Sequence, residues 1–157
     1  MRGRVAAVRS ATLAGMRALH HLAIQVQDLP RMEAFYRDLF ELPVRARWPD
    51  GQGGERAVWL GLDGGFLALE KVPPGAERAR AGGWNDPRPG YFVLALGIDV
   101  GARQAWVSRL GAAGLAIERR TAYSLFFRDP EGNRLAVSHH PQPWTEPGAS
   151  AYVGANE

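Results

Sequence analysis

His21, Glu70 and His140 carry the nitrogen and oxygen donors that a divalent cation takes, and Gln25, Arg134 and Ser138 carry groups that orient a polar ligand by hydrogen bonds. Trp48 and Tyr91 add planar apolar surface. Each residue also has a plainer use. His21 can be a hydrogen-bonded histidine at a sheet edge, Glu70 can pair with Arg134 or end a strand in solvent, and Gln25 and Ser138 can satisfy structural contacts. Adjacent residues of a regular strand point to opposite faces, so neither His20–His21 nor His139–His140 is an obvious chelating pair. The chain has no cysteine, which removes disulfides, thiolate chemistry and cysteine-ligated zinc.

These residues need elements to position them, and the sequence writes its elements twice. Residues 19–26, Leu-His-His-Leu-Ala-Ile-Gln-Val, read as a strand, and Phe92 to Ile98 repeats the pattern with Val93 in the place of His21. After the first strand, Asp28 caps a helix that takes Pro30 in its first turn, and Leu29, Met32, Phe35, Tyr36, Leu39 and Phe40 recur at helical spacing. Arg31, Glu33, Arg37, Asp38 and Glu41 are expected on its outer surface, and Pro43 stops it. Strands then follow near Val44–Trp48, Arg56–Leu62 and Phe66–Glu70, separated by glycine-rich turns that suit antiparallel neighbours. The second unit predicts a helix from about Ala102 to Leu110, with Ala102, Ala105, Trp106 and Leu110 toward the sheet. Its strands are expected near Leu115–Arg119, Tyr123–Arg128 and Arg134–His140, the last two joined by the turn Asp129-Pro130-Glu131-Gly132-Asn133.

Strand period two then sorts the candidates. His21, Ala23 and Gln25 share a face, as do Phe66, Ala68 and Glu70, then Val93, Ala95 and Gly97, then Arg134, Ala136, Ser138 and His140. The alternate residues, including Ile24, Val26, Leu67, Leu69, Leu135 and Val137, are core candidates covered by the helices. Small side chains on the first set leave room for a ligand, with Trp48 and Tyr91 folding inward beside it.

The boundaries expected are a leader at 1–15, one two-module domain at 16–141 and a tail at 142–157, with module one at 19–72, a linker at 73–90 and module two at 91–140. Of 157 residues, 46% are hydrophobic and 22% charged, the balance of an ordinary globular domain with one core. Arg2, Arg4 and Arg9 account for the formal charge of +3, so the body is neutral and offers no basic stripe to nucleic acid. No apolar run approaches 18 residues, which gives a membrane span no support. The lack of cysteine is compatible with a cytoplasmic location.

The two strand–helix–three-strand units, the His21-x-Ala23-Ile24-x-Val26-x-Asp28 start and the Asp129-Pro130-x-Gly132-Asn133 turn resemble the vicinal oxygen chelate superfamily over about residues 17–141. That family includes glyoxalase I, extradiol dioxygenases and bleomycin- or fosfomycin-resistance proteins. The resemblance implies an α+β fold of paired βαβββ modules, a cupped mixed sheet around a cavity, and a homodimer. It also implies metal ligands on the first and fourth strands of each module. Here those positions match His21, Ala68, Val93 and Ala136, and three of the four are hydrocarbon. The expectation is therefore a protein with no metal and no cofactor that binds or sequesters a small molecule through His21, Gln25, Trp48, Glu70, Tyr91, Arg134, Ser138 and His140. The alternative is a metal-dependent lyase, isomerase or dioxygenase with the site relocated toward His21, Glu70 and His140.

Overall fold

A computed structural model describes residues 19–76, 82–85 and 89–145; the expected leader at 1–15, parts of the linker and the tail after 145 lie outside them. Module one runs β1 (His21–Val26), α1 (Leu29–Phe40), β2 (Val44–Pro49), β3 (Glu55–Leu62) and β4 (Gly65–Lys71). Module two runs β5 (Leu94–Gly97), a 3-10 turn at Val100–Ala102, α2 (Arg103–Ala112), β6 (Arg119–Arg120), β7 (Ser124–Arg128) and β8 (Arg134–Ser138). Each makes a four-stranded mixed sheet, ordered β1-β4-β3-β2 and β5-β8-β7-β6, in which the first strand pairs parallel to the last and the other neighbours are antiparallel. This is the paired βαβββ arrangement that the sequence predicts.

Helix α1 begins where Asp28 Oδ1 accepts the Arg31 N–H, with Pro30 in the first turn, where an amide would have no helical partner. It ends before Pro43, at Glu41, which takes a left-handed φ of 57° and whose carboxylate accepts from Arg109 of α2. Its apolar stripe joins one core shared by both modules: Met32, Tyr36 and Leu39 pack with Val58, Leu60, Leu67 and Leu69, and with Leu110, Leu125, Phe127, Leu135 and Val137. Phe40 bridges them, its ring 5.4 Å from Trp106 and 6.2 Å from Phe127.

Several local expectations are corrected. Glu33 is 6% exposed rather than on the outer surface, because Arg47 reaches across from β2 and, with Arg37, donates to its carboxylate. On α2, Ala105 faces solvent while Arg103 turns inward, where its guanidinium donates to Thr121 O and His139 Nε2, both at 2.9 Å. Burial, and then the charge of Arg120, lowers the Arg103 pKa. The strand expected over Leu115–Arg119 is only Arg119–Arg120, since the Leu115 N–H turns back to Leu110 O to close the helix end. Val93 lies one residue before β5 begins.

The Asp129–Asn133 turn does more than join β7 to β8. Its Glu131 Oε1 accepts the backbone N–H groups of Gln27 and Asp28, each at 2.8 Å, so module two satisfies the entry of module one's helix. Asp129 Oδ1 accepts the N–H of Glu131 and of Asn133, while Oδ2 accepts the Asn133 side-chain amide and the Tyr36 hydroxyl at 2.9 Å. Tyr36 is fully buried, and burial, reinforced by the negative charge of Asp129, pushes its pKa well above the ordinary tyrosine value.

A raised pKa in the folded state means the contribution is complete below the unfolded value of about 10 and is lost as pH rises beyond it. Replacing Tyr36→Phe should therefore cost about 1.5–3 kcal/mol at pH 7, the usual worth of a hydrogen bond to a charged group. In urea titrations, the gap between wild type and variant should narrow above about pH 10, where the unfolded tyrosine ionises.

Candidate functional site

The faces opposite the shared core carry the residues with chemistry, and strand register fixes their rows. In the first sheet Ala23 pairs with Ala68, Ala68 with Trp59, and Trp59 with Ala46. In the second, Ala95 pairs with Ala136, Ala136 with Phe126, and Phe126 with Arg119. Each module thus places alanine, alanine and an aromatic ring across its first, last and third strands. The duplication extends to the faces opposite the core, where Ala23 and Ala95 are exposed while Ala68 and Ala136 are buried.

Around the first row the rings form a band across all four strands. His21 stacks on Phe66 at 4.9 Å with 9° between planes, Phe66 on Trp59 at 4.4 Å, and Trp59 meets Trp48 at 5.0 Å. Such pairs contribute on the order of 0.5–1.5 kcal/mol each beyond area burial. Gly65 makes the His21 end possible: an added Cβ would lie 2.7 Å from Leu19 O and 2.8 Å from His20 O. His20 corrects the expectation that it points away from His21. It precedes the first strand residue, escapes the alternation, and brings its Nδ1 within 2.9 Å of His21 Nδ1. Gln25 and Glu70 are register partners, both exposed, further along the same face.

The second face is organised differently. Arg134 does not pair with Glu70; its guanidinium lies 4.6 Å from the Phe92 ring, 5.8 Å from the Trp84 ring, and donates to Gly83 O. Ser138 Oγ and Ser124 Oγ are 2.9 Å apart, and Ser138 also meets Tyr123 O and the His140 N–H. His140 sits on Tyr123 at 5.2 Å. His139 points the other way into the interior: its Nδ1 must donate to Gln142 O at 2.6 Å, because a carbonyl only accepts, so Nε2 accepts from Arg103 and the ring is neutral. Tyr91, expected to fold inward, is 96% exposed.

The sequence-chosen residues therefore fall into separate groups: His21, Gln25, Trp48 and Glu70 on the first sheet, Arg134, Ser138 and His140 on the second, and Tyr91 in solvent. Among the described residues, no hydrogen bond or ring contact links the first group to the second. Trp59, Phe66, Phe92, Phe126 and Trp84 also line these faces. Trp59, Phe66 and Phe126 follow from strand parity and spacing; Phe92 precedes β5 and its parity would send it to the core face, and Trp84, in the linker, carries no periodic signal.

The donor set does not suit a divalent cation. Ala68, Val93 and Ala136 offer no lone pair, and among the described residues no three histidine or carboxylate side chains converge. Glu70 pairs with Gln25 while His21 pairs with Phe66, placing Glu70 about 13 Å along the strand from the level of His21 at 3.3 Å per residue.

Residues 18–137 match the family described as Glyoxalase/Bleomycin resistance protein/Dioxygenase superfamily. No curated protein matches the chain. Among solved structures, a lactoylglutathione lyase from Agrobacterium tumefaciens is 27% identical with a TM-score of 0.59, covering 79% of this chain and 94% of its own. A glyoxalase/dioxygenase from Nostoc punctiforme is 22% identical with a TM-score of 0.68, covering 85% and 97%. The fosfomycin resistance protein FosX from Listeria monocytogenes is 17% identical with a TM-score of 0.60, covering 79% and 92%. The last two share the fold.

Gly65→Ala tests how closely β1 is held. The extra methyl should push the start of β1 outward, lower stability by about 1–3 kcal/mol as overpacking does, and move the imidazole NMR signals of His20 and His21. The signals of His139 and His140, on the other sheet, should stay in place.

Proposed function

The chain belongs to the Glyoxalase/Bleomycin resistance protein/Dioxygenase superfamily, and on that premise we propose that it binds or sequesters a small molecule without a metal. The observation that carries this reading is the repeated row of Ala23, Ala68 and Trp59 in one sheet and Ala95, Ala136 and Phe126 in the other. Ala68 and Ala136 stand where the family resemblance implies ligating side chains, and rings flank them. A shelf of small side chains bordered by aromatic faces takes a planar, largely apolar ligand, with a few polar groups for orientation. Gln25 and Glu70 supply those groups on the first face, and Arg134 on the second. Ser138 and His140 hold the strand end, and Tyr91 is free to meet a ligand or a second chain.

A second copy suits the same surface. β1 and β5 each end a strand order, and His21, Ala23, Gln25, Ala95 and Gly97 on these strands are exposed. The reading is thus of a cytoplasmic homodimer whose ligand lies against these faces, and light scattering should return twice the mass of the chain.

The lyase activity named for the Agrobacterium tumefaciens relative belongs to the alternative, a metal-dependent enzyme, and requires donors that Ala68, Val93 and Ala136 do not supply. Mass spectrometry of untreated protein should find a retained metabolite, and its affinity should be unchanged by chelator. Trp59→Ala should weaken that binding at least tenfold, about 1.4 kcal/mol, by removing the centre of the aromatic band. A stoichiometric divalent ion on His21, with binding lost on chelation, would overturn the proposal.

A further inference from the structure

Arg128 and Arg134 are direct cross-strand partners on the open face of the second sheet, a like-charge pairing that costs stability unless something compensates. Glu118 compensates one of them, accepting from Arg128 Nε at 3.1 and 3.0 Å. Arg134 forms no ion pair with a carboxylate among the described residues, and its buried Nε has no hydrogen-bond partner there. What lies against both guanidinium groups is the linker. Trp84 sits 5.3 Å from Arg128 and 5.8 Å from Arg134, meets Phe126 and Phe92 edge-on at 5.3 and 5.8 Å, and donates its indole N–H to Glu118. Arg128 also donates to Gly82 O at 3.1 Å and Arg134 to Gly83 O.

We infer that this face is a binding site for a planar aromatic ring bearing a carboxylate, and that Trp84 is its built-in occupant, which the ligand displaces. The inference rests on the small-molecule reading above and names the ligand class for the second sheet. Two arginines facing one ring supply cation–π attraction. Trp84 brings no negative charge of its own, so among the described residues the charge of Arg134 is met by the Trp84 and Phe92 ring faces and a backbone carbonyl. A carboxylate on an incoming ring forms the forked ion pair that Trp84 cannot. Phe126, at the duplicated aromatic position, provides the floor. Arg119, 5.7 Å from Phe126 on the neighbouring strand, keeps this side of the face cationic.

The test uses calorimetric titration of the full-length protein with indole-3-acetate, and with tryptamine and 3-methylindole as the cationic and neutral versions of the same ring. Trp84→Ala should bind indole-3-acetate at least tenfold more tightly than wild type does, and should prefer it to both controls. Arg134→Gln added to Trp84→Ala should abolish that preference. Trp84→Leu, which keeps an apolar cover, repeats the comparison if the alanine variant loses its cooperative unfolding transition. Equal affinity in wild type and both Trp84 variants, or equal binding of acid and neutral ring, overturns the inference. Binding of none of the three probes to any variant also overturns it, while a metabolite retained by the same protein would leave the broader small-molecule reading standing.

Discussion

Alternate side chains of a β-strand point to opposite faces, and in both sheets that constraint divides every strand between two tasks. One set, including Val26, Leu67, Leu69, Leu125, Phe127, Leu135 and Val137, is consumed by the core under α1 and α2. The other set cannot enter that core without slipping the register by one residue, which would bury Glu70 and expose Leu69. The open faces are therefore fixed by the demands of the buried ones. Ala68 and Ala136 stand at the centre of their rows because Leu67, Leu69, Leu135 and Val137 are needed on the other side.

This division explains what was legible in the amino-acid order. Leucine and valine spaced by two residues announce which face is inside, the repeat of the first strand announces two modules, and alanine at 68 and 136 announces a poor donor set. None of these readings needs knowledge of what lies far away. Glu33 and Arg103 show where such reasoning stops. A charged residue on a helix reads as solvated until a distant strand delivers a partner, and Arg47 and His139 are such deliveries. His20 departs from the alternation for a local reason, because alternation holds only within the strand and His20 lies just outside it.

Trp84 marks the other limit. Glycine- and proline-rich connections carry no period, so nothing in residues 73–90 indicates that one ring returns to a sheet face. Its place is set by Arg128 and Arg134, whose proximity to each other depends on the pairing of β7 with β8. The two modules, similar in their rows of small and aromatic residues, consequently present different surfaces: a band of stacked rings on one, a ring held under arginines on the other.

The bond from Glu131 to the amides of Gln27 and Asp28 spans more than one hundred positions of chain. During synthesis the first module emerges with those amides and the Tyr36 hydroxyl still lacking their partners, and with the α1 stripe facing a core whose Leu110, Leu125, Phe127, Leu135 and Val137 do not yet exist. At roughly 5–20 residues per second, that interval lasts on the order of 5–20 s. For that time the nascent chain exposes Met32, Leu39 and Phe40 together with the edges of β1 and β2, a surface that invites chaperones or another half-made copy. The same clasp that ties the two modules together makes the first half dependent on the last.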